Sequence, residues 1–113
     1  MTNPFETAVH IQENVAVVAL RGEINSAAEA ALNAAYAQAE AGNPTSILLD
    51  FQSVDYINST GIALIVGLLA QARKTHRRLV VCGLSEHYQE IFRITRLADF
   101  MQMYTDIPSA LAG

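Results

Sequence analysis

The chain has 113 residues, 51% of them hydrophobic, and a formal net charge of -4, which provides material for one core and too little length for two. The acidic balance argues against a nucleic-acid partner, which would call for a basic stripe. A single cysteine, Cys82, excludes an intramolecular disulfide; with no leader-like segment after Met1 and no run of the ~20 apolar residues that cross a bilayer, a cytoplasmic protein without membrane insertion is expected.

Residues 1–6 read as a loose polar lead-in containing Pro4. Residues 8–12 alternate weakly, Glu13-Asn14 reads as a turn, and residues 15–20 are rich in β-branched side chains, so the two segments predict an antiparallel hairpin. Residues 21–26 lead out of the strand, with Asn25 or Ser26 as N-cap of the next helix. That helix, 27–41, is rich in alanine, with Ala28, Leu32, Ala35, Tyr36 and Ala39 as its inward stripe, and Gly42-Asn43-Pro44 stops it.

A short apolar run, 47–51, reads as an interior strand, followed by a turn over 54–61. Apolar residues then recur at Ile62, Ile65, Val66 and Leu69, one face of a helix running to about Lys74. Asn58, Ser59 and Thr60 offer side chains that cap its first N–H groups. A hydroxyl is therefore expected at the positive end of a helix, where a phosphate is well tolerated. The basic cluster Arg73, Lys74, Arg77 and Arg78 is expected to complement the other end of the dipole. Residues 79–82 form another buried strand carrying Cys82. Ser85 opens a helix to about Ile94, with Tyr88, Ile91, Phe92 and Thr95 toward the core; 100–104 is an edge strand, and Pro108 sits near the start of a final helical turn. The order β-β-α-β-α-β-α-β predicts one α/β domain over 1–113, with a mixed, largely parallel sheet of four to five strands and right-handed crossovers.

The helix after Ser59 is uncharged on more than one face. Either it is sandwiched between sheet and neighbouring helices, or Thr60, Ala63, Leu64 and Gly67 form a flat apolar patch for a partner. Gly67 costs roughly 1 kcal/mol of helix stability relative to alanine, which points to a reason such as close approach. The histidines, His10, His76 and His87, show no metal-ligand spacing, no phosphate-cradling glycine loop is present, and Ser59 lacks the Gly-x-Ser-x-Gly elbow of a hydrolase. No catalytic residue, metal or cofactor is expected; the chain reads as a binding module.

Leu49-Asp50-Phe51, Val54, Ile57 and Asn58-Ser59-Thr60-Gly61-Ile62 resemble the signature of STAS domains, especially bacterial anti-sigma factor antagonists. Leu20-Arg21-Gly22-Glu23-Ile24, Val80-Val81-Cys82-Gly83-Leu84 and Ile91–Leu97 with Phe100 are similar to further segments of that family, in the same order. The resemblance implies a STAS-like fold with helices mainly on one face and a phosphorylation switch. A serine at the position of Ser59, with Thr60 as the neighbouring hydroxyl, is phosphorylated by an anti-sigma factor that is itself a serine kinase, and a separate serine phosphatase resets it. The unphosphorylated form, expected to be a monomer when free, binds the kinase, here through Asn25, Asn58, Ser59, Thr60, Ala63, Leu64 and Gly67. Many relatives carry aspartate where this chain has Asn25 and Asn58. The resemblance also admits an accessory subunit of a lipid-transport ATPase complex, docking without phosphorylation, and, on family behaviour alone, a nucleotide or small-ligand binder.

Overall fold

A computed structural model describes residues 4–113, so positions 1–3 of the expected lead-in lie outside the described residues. Glu6, assigned to that lead-in, instead begins the first strand. The elements run β1 (Glu6–Gln12), β2 (Val15–Ile24), a short 3-10 turn (Ser26–Ala28), α1 (Glu29–Ala41), β3 (Ser46–Ile57), α2 (Ser59–Lys74), β4 (Arg78–Cys82), α3 (Glu86–Ile94), a second 3-10 turn (Leu97–Asp99), β5 (Gln102–Tyr104) and α4 (Ile107–Ala112). The five strands lie side by side in chain order; β1 is antiparallel to β2, and every later pair is parallel. The hairpin turns on Glu13 and Asn14, both at positive φ, as tight two-residue turns between strands require.

Each parallel crossover steps the same way along the sheet, so right-handed connections place α1, α2 and α3 on one face. The pleat then divides the strand side chains by parity. Val18, Leu20, Ile47, Leu49, Leu79 and Val81 enter the main core with the three crossover helices. Their neighbours Val17, Leu48, Val80 and Cys82 point the other way, beneath Ile107 and Ala110 of α4. Burial, the neighbouring Asp50 and the more distant Asp106 push the Cys82 thiol up to about 12, which makes it an inert core residue. In the main core Phe51 meets Phe92 edge to face, with ring centroids 6.2 Å apart.

Two strands are longer than the sequence pattern indicates. β2 continues through Ile24, and β3 continues through Ile57 instead of turning at Val54. Beyond Asp50, β3 has a neighbour only on the β2 side, because β4 ends at the Asp50–Cys82 pair. This extension carries Gln52, Ser53 and Asp55, all exposed. Its far end is fixed by α3, since the Ile57 N–H donates to the Tyr88 hydroxyl at 2.8 Å in a buried site. Tyr88→Phe leaves that N–H unsatisfied and is expected to cost about 1–3 kcal/mol. A lower urea midpoint with an unchanged m-value is the expected readout; an unchanged midpoint would show that water replaces the tyrosine.

Of the residues expected inward on the third helix, Tyr88 and Phe92 are buried and Ile91 is half-buried, but Thr95 is exposed at its end, where its hydroxyl donates to the Ile91 carbonyl at 2.8 Å. The basic cluster closes the end of α2 more widely than by the dipole alone. Arg77 lies beyond the helix and ties two loops together, pairing with Glu40 at 3.5 Å and donating to the Pro44 carbonyl and to Asn43 Oδ1 at 3.2 and 2.9 Å. Arg73 stacks on the Phe100 ring at 4.9 Å, and Arg78 donates to Gln102.

Candidate functional site

The parallel strands β2 and β3 end level with one another, at the register pair Ile24 and Ile57. The next residue in each case is an asparagine. Asn25 Oδ1 accepts from the Ala27 N–H at 2.9 Å, capping the 3-10 turn that leads into α1. Asn58 Oδ1 accepts from the Gly61 N–H at 2.8 Å, capping α2. The Asn58 N–H donates to the Ile24 carbonyl at 3.2 Å and fastens the two strand ends together. The neutral amide caps the helix without adding a charge.

Because Asn58 caps the helix, Ser59 is its first residue and its hydroxyl is not needed there. Ser59 and Thr60 are both exposed. Their free hydroxyls sit in the first turn of a 16-residue helix whose first turn holds no acidic residue, in the positive field of the dipole. Gly61 follows, and here a glycine is required by space. A Cβ at Gly61 would lie 2.2 Å from the Ile24 carbonyl oxygen and 2.8 Å from Ile57 Cγ2. Only a bare backbone lets α2 start this close to the strand ends.

Along α2 the buried line is Gly61, Ile65, Leu68, Leu69 and Ala72. Val66, placed in the core stripe from its spacing, is instead 44% exposed. Ile62 is half-buried, and Leu68 takes the inward place. The outer surface of α2 is therefore Ser59, Thr60, Ala63, Val66, Gly67 and Ala70, with Leu64 half-buried at its border. It is uncharged until Arg73. The reading of a fully sandwiched helix is thus excluded: Thr60, Ala63 and Gly67 are exposed and Leu64 is half-buried. Gly67 does not mark a close approach as its helix cost suggested, for nothing beyond its own stretch of helix backbone lies within 4 Å of where its Cβ would be.

All seven sequence-derived residues are therefore on one side of the molecule, in two adjoining groups. Asn25, Asn58, Ser59 and Thr60 gather at the carboxyl ends of β2 and β3, and Ala63, Leu64 and Gly67 continue from them along α2. Val66, expected in the core, adds instead to the exposed surface of the helix, and Tyr56 near the end of β3 is 52% exposed. The signal for Tyr56 was a large aromatic one residue before the Ile57–Asn58 strand end.

Among the described residues no group of three or more His, Cys, Asp or Glu side chains comes together, and no helix is long and apolar enough to cross a membrane. The STAS domain family model matches residues 6–110. The chain is 30% identical over 83 residues, 74% of its length and 72% of the relative's, to the putative anti-sigma factor antagonist BtrV of Bordetella bronchiseptica. Its fold is similar to the crystal structure of an anti-sigma factor antagonist from Mycobacterium paratuberculosis, with a TM-score of 0.84, 22% identity and coverage of 99% and 97% of the two chains. It is also similar to phosphorylated SpoIIAA of Bacillus, with a TM-score of 0.72, 21% identity and coverage of 96% and 97%.

Proposed function

This chain belongs to the STAS domain family, and we propose that it is an anti-sigma factor antagonist controlled by phosphorylation at Ser59. In this reading the unphosphorylated protein, a cytoplasmic monomer, binds an anti-sigma factor that is a serine kinase. Phosphate on Ser59 breaks the complex, and a serine phosphatase restores it. The protein itself performs no catalysis. Its relative's name supports the antagonist role.

The observation that carries the switch is the division of labour between Asn58 and Ser59. Asn58 holds the helix cap, so the exposed Ser59 hydroxyl is available to a kinase without loss of a structural hydrogen bond. A phosphate there adds about -1.5 to -2 charges beside the bare N–H groups of the first turn, so the fold tolerates it. A partner pressed against Ala63, Val66 and Gly67 would have to bury the same charge against an apolar surface, at high desolvation cost. Folding and binding thus respond oppositely to one modification.

Incubation with ATP and serine kinases of the anti-sigma type from the source organism, followed by site-resolved mass spectrometry, tests this. Phosphate is expected on Ser59 and absent from Ser59→Ala, with Thr60 as the only neighbouring acceptor. Modification elsewhere, or none, would overturn the switch.

A further inference from the structure

The exposed residues Ser59, Ala63, Val66, Ala70 and Arg73 are spaced by four and three, so they form one stripe along α2. Over about 21 Å of helix the stripe runs from the Ser59 turn to a basic end. Four of the chain's seven lysines and arginines, Arg73, Lys74, Arg77 and Arg78, fall there, in a protein whose net charge is -4. Of the four, Arg77 alone has a carboxylate partner among the described residues, Glu40 at 3.5 Å. The C-terminal end of α2 contributes only about half a negative charge. Most of the positive charge is therefore unmatched within the domain.

Arg73, Arg77 and Arg78 border a cleft of about 210 Å³ with Leu69, Leu79 and Phe100, and no acidic side chain lines it. The Arg77 donors are engaged by Glu40, the Pro44 carbonyl and Asn43. Arg73 lies over the Phe100 ring at 4.9 Å and has no ion pair or hydrogen bond among the described residues. Arg78 donates to the uncharged Gln102 side chain. Both guanidiniums are exposed, and Phe100 beside them is 56% exposed. Two forks are thus held at one cleft while their charge goes unanswered.

We propose that this cleft receives a carboxylate side chain from an acidic segment of the protein that docks along α2, with Arg73 and Arg78 donating to its oxygens and Phe100 covering its apolar stem. This rests on the reading of α2 as the partner face and adds to it the chemistry of the far end. Guanidinium forks bind carboxylates in a fixed, often bidentate geometry, and forks already held by Phe100 and Gln102 lose less freedom on binding. A lipid surface would be met equally well by flexible lysines, of which the cluster has one. A nucleic acid would run into the acidic remainder of the chain. With an apolar contact beside Ser59 and a charged one at the opposite end of the same stripe, the partner has a single direction along α2.

The cleft is testable without the partner. Triglutamate with blocked ends supplies carboxylates on a short peptide, and the matching triglutamine has the same body without the charge. In NMR titrations at ~20 mM salt the triglutamate is expected to shift the Arg73 and Arg78 side-chain N–H and Phe100 ring resonances with a millimolar Kd, and the triglutamine is expected not to. Arg73→Gln and Arg78→Gln should each weaken binding about 4-fold and together more than about 10-fold. The Tm of the double variant should stay within about 4 °C of the parent, since only an exposed ring contact is lost. Lys74→Gln, which removes the same charge outside the cleft, should keep binding within about 2-fold. No shift up to about 20 mM triglutamate, or equal binding of triglutamine, would overturn the proposal. So would an equal loss in Lys74→Gln and Arg73→Gln, which marks a diffuse field instead of a cleft. Recruitment to vesicles of phosphatidylserine and phosphatidylcholine, lost in the double variant, would overturn it in favour of a lipid surface. The same variants separate the cleft from the switch once a serine kinase is in hand. A kinase that discriminates Ser59→Asp but binds the double variant like the parent would refute the acidic anchor and leave the switch standing. Triglutamate binding lost in the double variant, with no kinase able to modify or bind the parent, would support the cleft and refute the switch.

Discussion

Aspartate in place of Ser59 is expected to weaken binding of the proposed kinase partner by roughly 100-fold, about 3 kcal/mol, the scale of an uncompensated charge buried at a contact. Ser59→Ala should bind like the parent, because the hydroxyl supports no cap in the free protein. The Tm of Ser59→Asp should stay at or slightly above that of the parent, since a carboxylate in the first turn is favoured by the helix dipole by about 0.3–1 kcal/mol. Calorimetric titration of the three proteins against one kinase, with a thermal melt of each, reads all of this. Equal affinities for Ser59→Asp and Ser59→Ala would end the electrostatic account. A collapse in Tm would instead mean that the position is structural.

Gly61→Ala is expected to be severely destabilising. The added methyl would stand 2.2 Å from the Ile24 carbonyl oxygen, and that oxygen belongs to a strand end paired with β3, so neither side can swing away as a flexible side chain would. Relief requires the first turn of α2 to lift off the sheet, which pulls on the Asn58 N–H bond to Ile24 and on the Asn58 cap. A cost of about 3 kcal/mol or more follows from overpacking alone, corresponding to a loss of about 12 °C in Tm for a domain of this size. Partner binding should fall with it, because the Ser59 turn moves as a unit. A melt within ~2 °C of the parent would show that the strand ends are far more compliant than their hydrogen bonds indicate.

The contrast between Gly61 and Gly67 also marks what was legible in the sequence. Both glycines lie in a helix and look alike as letters, yet one is pressed against a carbonyl and the other faces open space. No local pattern distinguishes them, because the difference is made by β2, which lies distant in the chain. The phase of α2 was misread for a related reason. From Ile62 to Ala72 nearly every residue is apolar or small, so the spacing of Ile62, Ile65, Val66 and Leu69 fits a face without fixing which face is inward. The true phase is set at Gly61, where only a bare backbone clears the Ile24 carbonyl. By contrast, α1 was read correctly in its inward residues because Glu29, Asn33 and Gln38 mark the wet side. The element order, the hairpin and the Ser59 turn were legible because turn residues, caps and β-branched runs act locally. The second half of β3 was not, since a strand bordered on one side only can carry polar residues that read as loop.

The order of the strands has a kinetic consequence. Because chain order and sheet order coincide from β1 to β5, no strand has to be threaded between two that are already joined. Each crossover closes only the loop of its own helix, and the entropy of closure grows slowly with loop length. The hairpin of β1 and β2 is the one pairing in the sheet that needs no crossover, so during synthesis it can form first and be fixed as the later strands are added, ending at an edge of three residues that is too short to recruit a stranger.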